Sequence, residues 1–283
     1  MNKSTQSGFT LIEVAIVLII VSILLGYTVA LFPRQQELKQ YRAVERQMDE
    51  IMEAVIGFAQ VNGRLPCPAV PNSGGAENIN AGVGCFQYGG FVPVNTLGLS
   101  GRLNADSLLQ DPWGNPYRYY VTDVDFNANS VSDFTGQGGE MRLVGLVDSD
   151  ADGYIDLDGR YLICNAASVI NDECTVGDNP VFGNADGAGH YAGAPFVLLS
   201  QGKNWNQVAA VGDELENIGA STTASLGMAS GPSGTIYPLK KVVSNETTFV
   251  RRLTGFSDDF DDVVRWASPS ILFSRMIQGG QLP

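Results

Sequence analysis

The chain has 283 residues, and its 17 Lys and Arg against 30 Asp and Glu give a formal net charge of −13. This acidic balance argues against a non-specific nucleic-acid binder, because such a protein needs a basic surface that displaces counterions from phosphates. A single histidine, His190, argues against sites built from several imidazoles. Only 3 of the 33 glycines lie in the first 61 residues. The composition therefore predicts an N-terminal helical part followed by a glycine-rich, acidic globular part.

Residues 14–32 contain no charged side chain. About 20 helical residues cross the hydrocarbon core of a bilayer, at about 1.5 Å per residue. Segment 10–32 is therefore long enough to span a membrane. A secretory signal peptide has a shorter apolar stretch followed by a small-residue cleavage site. Because the chain instead continues into Pro33-Arg34, we expect a transmembrane helix that the mature protein retains.

Glu13 is the one charged residue in segment 10–32. A carboxylate near the centre of a membrane costs about 2.5–3.5 kcal/mol on insertion scales, so such a residue usually has a partner. Glu13 alone is also compatible with an interfacial position from which the carboxylate reaches water. Its neighbours decide between these interpretations. Residues 8–14 (Gly-Phe-Thr-Leu-Ile-Glu-Val) resemble the processing motif of type IV prepilins and type II secretion pseudopilins.

The resemblance implies processing at the N-terminus and a role in assembly. In that family a membrane peptidase cuts after the glycine and methylates the new N-terminal residue. Cleavage is thus expected between Gly8 and Phe9, with residues 1–8 as a leader peptide and Phe9 N-methylated. The carboxylate of Glu13 is expected to neutralise the N-terminal amine of a neighbouring subunit. Electrostatics supports this expected role, because a buried carboxylate is tolerated when it is paired with an amine and is costly when unpaired.

The segment after the apolar run is an amphipathic helix. Residues 34–61 are rich in helix formers and carry apolar residues at helical spacing on one face. Asn62-Gly63 followed by Pro66 predicts the end of the helix. Residues 9–61 are therefore expected to form a pilin helix, and residues 62–283 a β-rich head. The predicted apolar face consists of Leu38, Tyr41, Val44, Met48, Ile51, Val55, Ile56 and Ala59.

The sequence of the head predicts short strands separated by turns. Together with the N-terminal helix, these strands give an α+β fold class. We predict a pilin-like fold in which the long N-terminal helix packs on a small antiparallel sheet with long loops. Ser268-Pro269 predicts the start of a short C-terminal helix over 268–277. The long turn-rich stretches are 68–90, 165–190 and 204–234. The strand candidates are 91–94, 117–124, 140–147, 160–164, 195–200, 235–243 and 262–266.

Four cysteines, Cys67, Cys85, Cys164 and Cys174, follow the predicted membrane anchor. An even number of cysteines in an exported domain indicates disulfides. Proximity in the chain favours Cys67–Cys85 and Cys164–Cys174, although four cysteines allow three connectivities. A zinc site is disfavoured, because no C-x-x-C spacing is present and His190 would be the only imidazole.

An acidic loop indicates a cation site. Asp148, Asp150 and Asp152, followed by Gly153, fit the start of the D-x-D-x-D-G calcium loop, in which alternating carboxylates converge on one ion. The loop differs from an EF-hand, because its position 12 is a glycine and strand-like segments flank it. The alternative is a solvated acidic turn. We expect a structural Ca²⁺, whose remaining ligands would be the carbonyl of Tyr154 and the carboxylate of Asp156.

A second fragment adds to the resemblance. Residues 111–117 (Asp-Pro-Trp-Gly-Asn-Pro-Tyr) are similar to a segment of the major pseudopilins of type II secretion, where it leads into the sheet and a calcium site lies in a later loop. The segment between this fragment and the acidic loop is longer in this chain, so the resemblance does not assign the calcium ligands residue by residue. Without the resemblance, the same residues predict a turn with an aromatic anchor.

These features together predict a non-enzymatic structural subunit of a type IV pilus or a type II secretion filament. No G-x-S-x-G, P-loop or paired catalytic carboxylate pattern is present. The protein is expected in the bacterial inner membrane as a single-pass protein with a periplasmic head, and then in the filament. The expected partners are prepilin peptidase, the inner-membrane assembly platform, inner-membrane lipid and other pilin or pseudopilin subunits, with no nucleic acid.

The length of the head suits a minor subunit better than the repeating one. The alternative is a tip adhesin or cargo-binding module displayed on such a filament, which would use loop 68–90 or loop 204–234. That alternative requires an exposed apolar or aromatic patch on one of these loops.

Overall fold

The structure is a computed structural model of the chain. It describes residues 10–125, 128–138, 140–144, 159–164, 169–170, 173–174, 193–203, 217, 226–230, 232–240, 248–252 and 260–282. At 27–34, 143–144, 169–170, 173–174, 226–230, 236 and 238–240 only the backbone is described. The chain divides into two compact units, Met1–Ala43 and Val44–Pro283.

Helix α1 spans Leu11–Asn62, 52 residues, and confirms the predicted N-terminal helix. It continues through Gly26 and Pro33, neither of which ends it. The end follows the predicted signal, because Gly63 takes a left-handed φ of 68° and its N–H donates to the carbonyl of Ala59 at 2.9 Å. In the part of the chain that the structure describes, no helix meets the length and apolarity required to cross a membrane.

The second unit is built around the C-terminal part of α1 and a four-stranded sheet. The order of strands in the sheet is β12 (Val263–Trp266), β8 (Phe196–Ser200), β4 (Arg118–Val121) and β3 (Gly89–Phe91), and every neighbouring pair is antiparallel. Both central strands are buried at every position, although β4 begins with the charged residue Arg118.

The apolar face predicted for α1 is buried from Val44 to Ala59. Polar contacts fix this part of the helix to the rest of the unit. Arg265 of β12 pairs with Glu45 at 3.2 Å and with Asp49 at 3.6 Å, and the hydroxyl of Tyr117 donates to Gln47 Oε1 at 2.9 Å. The buried positions are Val44, Met48, Ile51, Val55, Ile56 and Ala59.

A parallel strand pair departs from the predicted antiparallel sheet. Strand β5 (Leu162–Cys164) pairs in parallel with β11 (Thr248–Val250). Parallel strands need a long crossover connection, and the chain between residues 164 and 248 is long enough to supply one. The remaining pairs are antiparallel: β1 (Ile79–Asn80) with β2 (Gly84–Cys85), β6 (Val169–Ile170) with β7 (Glu173–Cys174), and β9 (Leu226–Ser230) with β10 (Ile236–Lys240).

Most strand candidates coincide with observed strands, and two differ from them. Candidate 140–147 is a helix, α3 (Glu140–Val144), where it is described, and 145–147 lie outside the described residues. Glu, Met, Arg and Leu all favour helix, and a short apolar run does not distinguish the two states. Candidate 91–94 is also misplaced, because the strand ends at Phe91 and a short helix, α2 (Val94–Leu97), follows.

The C-terminal helix α4 spans Pro269–Gln278 and confirms the prediction for 268–277. Ser268 is its N-cap and accepts a hydrogen bond from the N–H of Ile271, and Pro269 occupies the first turn. Leu272 and Met276 are buried one turn apart, so this face joins the core.

Candidate functional site

The N-terminus of α1 begins with a reciprocal capping arrangement. The N–H and the hydroxyl of Thr10 both donate to Glu13 Oε2, each at 3.0 Å. In return, the N–H of Glu13 donates to Thr10 Oγ1 at 3.3 Å. This is the capping box, in which the N-cap and the third helical residue satisfy each other's backbone donors. Glu13 therefore has a partner within its own chain, and both bonds from Thr10 use the same oxygen, Oε2.

The helix surface that follows is apolar on all sides. Large apolar residues from Leu11 to Leu25 are 43–89% exposed. A helix that is hydrophobic all round is typical of a membrane span or of the interior of a larger assembly. These residues are Leu11, Ile12, Val14, Ile16, Val17, Leu18, Ile19, Ile20, Val21, Ile23, Leu24 and Leu25.

Two groups of predicted site residues lie outside the described residues. The first is the processing site, Gly8 and Phe9. The second is the calcium loop, with Asp148, Asp150, Asp152, Tyr154 and Asp156. Within the described ranges, no group of three or more His, Cys, Asp or Glu side chains is arranged to hold a metal ion.

A disulfide joins Cys67 to Cys85, as predicted, with their Cα atoms 5.3 Å apart. Inside the loop that it closes, Glu77 is held by both Nη atoms of Arg64, at 2.7 and 2.9 Å. Glu77 also accepts the N–H of Cys67 at 3.0 Å. Covalent and ionic contacts therefore fasten the same loop. Cys164 is disulfide-bonded as well; the side chain of Cys174 lies outside the described residues, so their pairing stays a prediction.

The disulfide loop presents apolar side chains to solvent. Phe86, next to Cys85, is 66% exposed, and Val83 is 41% exposed. Both lie in the turn-rich stretch 68–90, which the sequence marked as one of two candidate binding loops. An exposed aromatic ring on a covalently fastened loop is the type of feature that the binding alternative requires.

The segment 111–117 forms a turn that ties the sheet to α1. Asp111 Oδ1 accepts the N–H groups of Trp113 and Asn115, each at 2.9 Å. Asp111 Oδ2 accepts the hydroxyl of Ser200 at 2.8 Å, which links the turn to β8. Burial raises the pKa of Asp111, and these hydrogen bonds act against that effect. The residues of this motif thus serve a structural role, and the turn leads directly into β4.

Arg118 is a buried cation that sequence reasoning missed. It lies on central strand β4 with 0% exposure. Its guanidinium carbon is 4.7 Å from the ring centroid of Phe91 and 6.0 Å from that of Tyr237. Burial lowers its pKa to about 10. The available signal was a charged residue between Tyr117 and Tyr119, in the aromatic first half of strand candidate 117–124.

The carboxylate of Asp106 fastens the β9–β10 hairpin to the head. Its Oδ1 accepts the N–H of Ser233 at 2.9 Å, and its Oδ2 accepts the hydroxyl of Tyr237 at 2.7 Å. The hydroxyl of Ser233 also donates to Oδ2. Burial acts to raise the pKa of Asp106, but the hydrogen bonds from Ser233 and Tyr237 together hold it below its usual value.

Comparison with known protein families gives a match at the N-terminus. Residues 3–29 match the family model described as the prokaryotic N-terminal methylation motif. The match is consistent with the type IV prepilin and pseudopilin family. This is a structural, pilin-type motif, and it implies processing by prepilin peptidase and assembly with other pilins. No curated protein and no solved structure matches the chain.

Proposed function

We propose that this chain is a structural subunit, of the minor type, of a type IV pilus or a type II secretion filament. It is processed after Gly8 and assembles through its N-terminal helix. The observation that carries the proposal is the methylation motif at residues 3–29, placed at the start of a 52-residue helix. The exposed apolar side chains of that helix between Leu11 and Leu25 need an apolar environment, which a membrane and a filament core both supply.

The subunit first resides in the bacterial inner membrane. Segment 10–32 spans the bilayer once, and the head lies in the periplasm. Prepilin peptidase removes residues 1–8 and methylates Phe9, and the assembly platform then transfers the helix from lipid to neighbouring subunits. The helix surface remains in apolar surroundings throughout this exchange, so little hydrophobic free energy opposes it.

Glu13 sets the register between neighbouring subunits. In the single chain both bonds from Thr10 use Oε2 of Glu13. The other carboxylate oxygen can therefore accept the amine of Phe9 from a neighbouring subunit without breaking the capping box. A buried carboxylate that lacks its amine partner raises the free energy of a helix bundle. The pair therefore favours the one axial offset between neighbouring helices at which the two charges meet, whereas apolar contacts alone would allow several offsets.

The test is incorporation of Glu13→Ala into filaments sheared from cells that express the full assembly system. The variant is expected to be cleaved normally and to stay in the membrane fraction. Glu50→Ala is the matched control, because Glu50 is exposed on the same helix and lies outside the apolar segment. Incorporation of Glu13→Ala at the level of the control would overturn the assembly role of Glu13.

A second function, a tip adhesin or cargo-binding module, is favoured by the exposed side chains of Phe86 and Val83. The double variant Phe86→Ser with Val83→Ser should leave filament incorporation unchanged, because neither side chain is part of the core. If the loop binds a surface or a secreted cargo, the variant should lose adherence or secretion. Unchanged adherence and secretion would reject this second function.

We also propose that loop 148–156 holds a structural Ca²⁺. The support is the spacing of Asp148, Asp150 and Asp152 before a glycine, since this spacing aims alternating carboxylates at one point. The carbonyl of Tyr154 and the carboxylate of Asp156 would complete the oxygen shell. The ion would offset the mutual repulsion of these carboxylates and order the loop for packing between subunits.

A further inference from the structure

Arg251 is a half-buried cation that directly follows strand β11. Its backbone N–H donates to the carbonyl of Cys164 at 2.8 Å, so the pairing of β11 with β5 fixes the main chain at this position. In the part of the chain that the structure describes, its guanidinium takes part in no hydrogen bond and no ion pair. The burial of this charge therefore has a desolvation cost that no described acceptor offsets.

The ring of Trp266 supports this guanidinium. The guanidinium carbon lies 5.3 Å from the ring centroid of Trp266, the last residue of β12. Trp266 is itself packed against the buried core of the sheet, so its ring is held in place. An aromatic face attracts a cation but offers no acceptor to the N–H groups in the guanidinium plane. The contact with Trp266 thus positions Arg251 and leaves its donors for another group.

A second arginine near Arg251 already binds the carboxylates of α1. Arg265 pairs with Glu45 at 3.2 Å and with Asp49 at 3.6 Å. Burial and then the positive charge of Arg265 lower the pKa of Arg251, whereas Glu45 acts in the opposite direction. Because Glu45 is held by Arg265, its attraction gives Arg251 no hydrogen-bonded partner. Arg251 is therefore a cation close to α1 that lacks a carboxylate of its own among the described residues.

Arg251 differs in this respect from other arginines of the head. Exposed Arg102 also has no ion pair within the described ranges, but water solvates an exposed guanidinium at little cost. Arg251 combines partial burial, a fixed aromatic support and unused donors, which is typical of arginines that contribute strongly to protein interfaces. The arginines paired with a carboxylate of the same chain are Arg64, Arg160, Arg265 and Arg275.

We propose that Arg251 and Trp266 form an interface site that binds a carboxylate side chain of a neighbouring filament subunit. A carboxylate matches the paired donors of a guanidinium, and its charge would also offset the repulsion between Arg251 and Arg265. The electrostatic contact with Glu45 places the site next to α1, the helix through which the chain assembles, and this favours a subunit as the partner. The inference rests on the proposed filament function and adds a lateral contact made by the head.

The first test measures incorporation of Arg251 variants into sheared filaments. Arg251→Gln keeps a long side chain beside Trp266 but removes the charge, and it should incorporate about fivefold less than the wild type. Arg251→Glu should incorporate still less, because it repels the carboxylate of the partner. Arg102→Gln is the matched control, since it removes an exposed arginine of the head. Equal incorporation of both Arg251 variants and the control would overturn the proposal.

A photo-crosslinker identifies the partner and does not depend on the stability of the Arg251 variants. Benzoylphenylalanine in place of Trp266 replaces one aromatic ring with another and retains Arg251. In assembled filaments it should form an adduct with another pilin or pseudopilin subunit, close to an Asp or Glu of that subunit. The same chain in membranes of cells without the assembly platform is the control. Adducts with lipid alone, or adducts that do not depend on assembly, would overturn the proposal.

Failure of this inference is distinguishable from failure of the proposed function. If the wild type and the Arg251 variants all enter filaments equally, the filament role stands and the carboxylate site is rejected. If the wild type itself is absent from filaments, the proposed function is rejected and this inference with it.

Discussion

Thr10 and Glu13 cap the first turn of α1 reciprocally, with three hydrogen bonds of 3.0–3.3 Å between them. The residue expected to act between subunits is therefore already held in place within its own chain. A carboxylate at a helix N-terminus also interacts favourably with the helix dipole. Positioning before assembly reduces the conformational entropy that Glu13 loses when it meets an amine.

The Thr10 hydroxyl can be removed without changing side-chain shape in Thr10→Val. Loss of an N-cap hydroxyl costs about 1 kcal/mol, so opening of the first turn should become about fivefold more frequent. Amide hydrogen exchange of residues 11–14 in micelles measures this change. Thr10→Ser is the matched control, because serine keeps the capping oxygen. Equal exchange rates in the Val and Ser variants would show that the hydroxyl does not stabilise the turn.

The disulfide between Cys67 and Cys85 should stabilise the head substantially. Its cysteines are 18 residues apart, and closure of a loop of this size restricts the unfolded chain by about 3 kcal/mol. The double variant Cys67→Ser with Cys85→Ser should lower the free energy of unfolding in urea by about this amount. When Glu77→Gln is added to the double variant, the total loss of unfolding free energy should be smaller than the sum of the losses measured separately, since Glu77 is held in the same loop. An unfolding midpoint identical to the wild type's would contradict this role.

Two buried aspartates should have opposite effects on acid stability. The pKa of Asp106 is lowered in the folded state, so its contribution is present above the unfolded pKa of about 4 and is lost as pH falls through the lower, folded pKa. The pKa of Asp111 is raised, so its contribution is present below the unfolded value and is lost as pH rises through the folded pKa.

Unfolding free energies between about pH 3 and pH 6 distinguish these two contributions. Asp106→Asn should reduce the loss of stability on acidification, and Asp111→Asn should steepen it. Parallel pH profiles for the two variants would contradict the assignment. The comparison is well matched, because both changes replace a carboxylate with an amide of the same shape at a buried position.

Calcium should stabilise the head through the acidic loop. Removal of divalent cations with EGTA is expected to lower the Tm of the wild type, and excess Ca²⁺ should restore it. Asp150→Ala should have a low Tm that does not respond to either treatment. Asp259→Ala serves as the control, because it removes one charge from a different acidic cluster at 258–262. A wild-type Tm that is unchanged by EGTA would exclude a stabilising calcium site.

The parts of the fold that local pattern encodes were predictable. Helix α1 followed from residue spacing and a terminal Asn-Gly signal, and α4 followed from Ser268-Pro269. The central strands β4 and β8 followed from short apolar runs with turns on either side. In each case the residues that define the element are adjacent in sequence, so their pattern carries the information.

Long-range relationships were not predictable in the same way. The parallel pairing of β5 with β11 joins segments that are distant in sequence, and no local pattern specifies such a partner. The burial of Arg118 depends on Phe91 and Tyr237 from other parts of the chain. For α3, the apolar alternation of 140–144 fitted a strand, and the helix propensity of the same residues proved the stronger influence.

The most direct test of the filament assignment is the mass of the N-terminal peptide of the mature protein, isolated from cells that contain prepilin peptidase. Processing after Gly8 predicts that this peptide begins at Phe9 and carries one methyl group on its amine. The same chain from cells without the peptidase should retain residues 1–8. A mature protein that still carries Met1–Gly8, or that begins at a residue other than Phe9, would contradict the account.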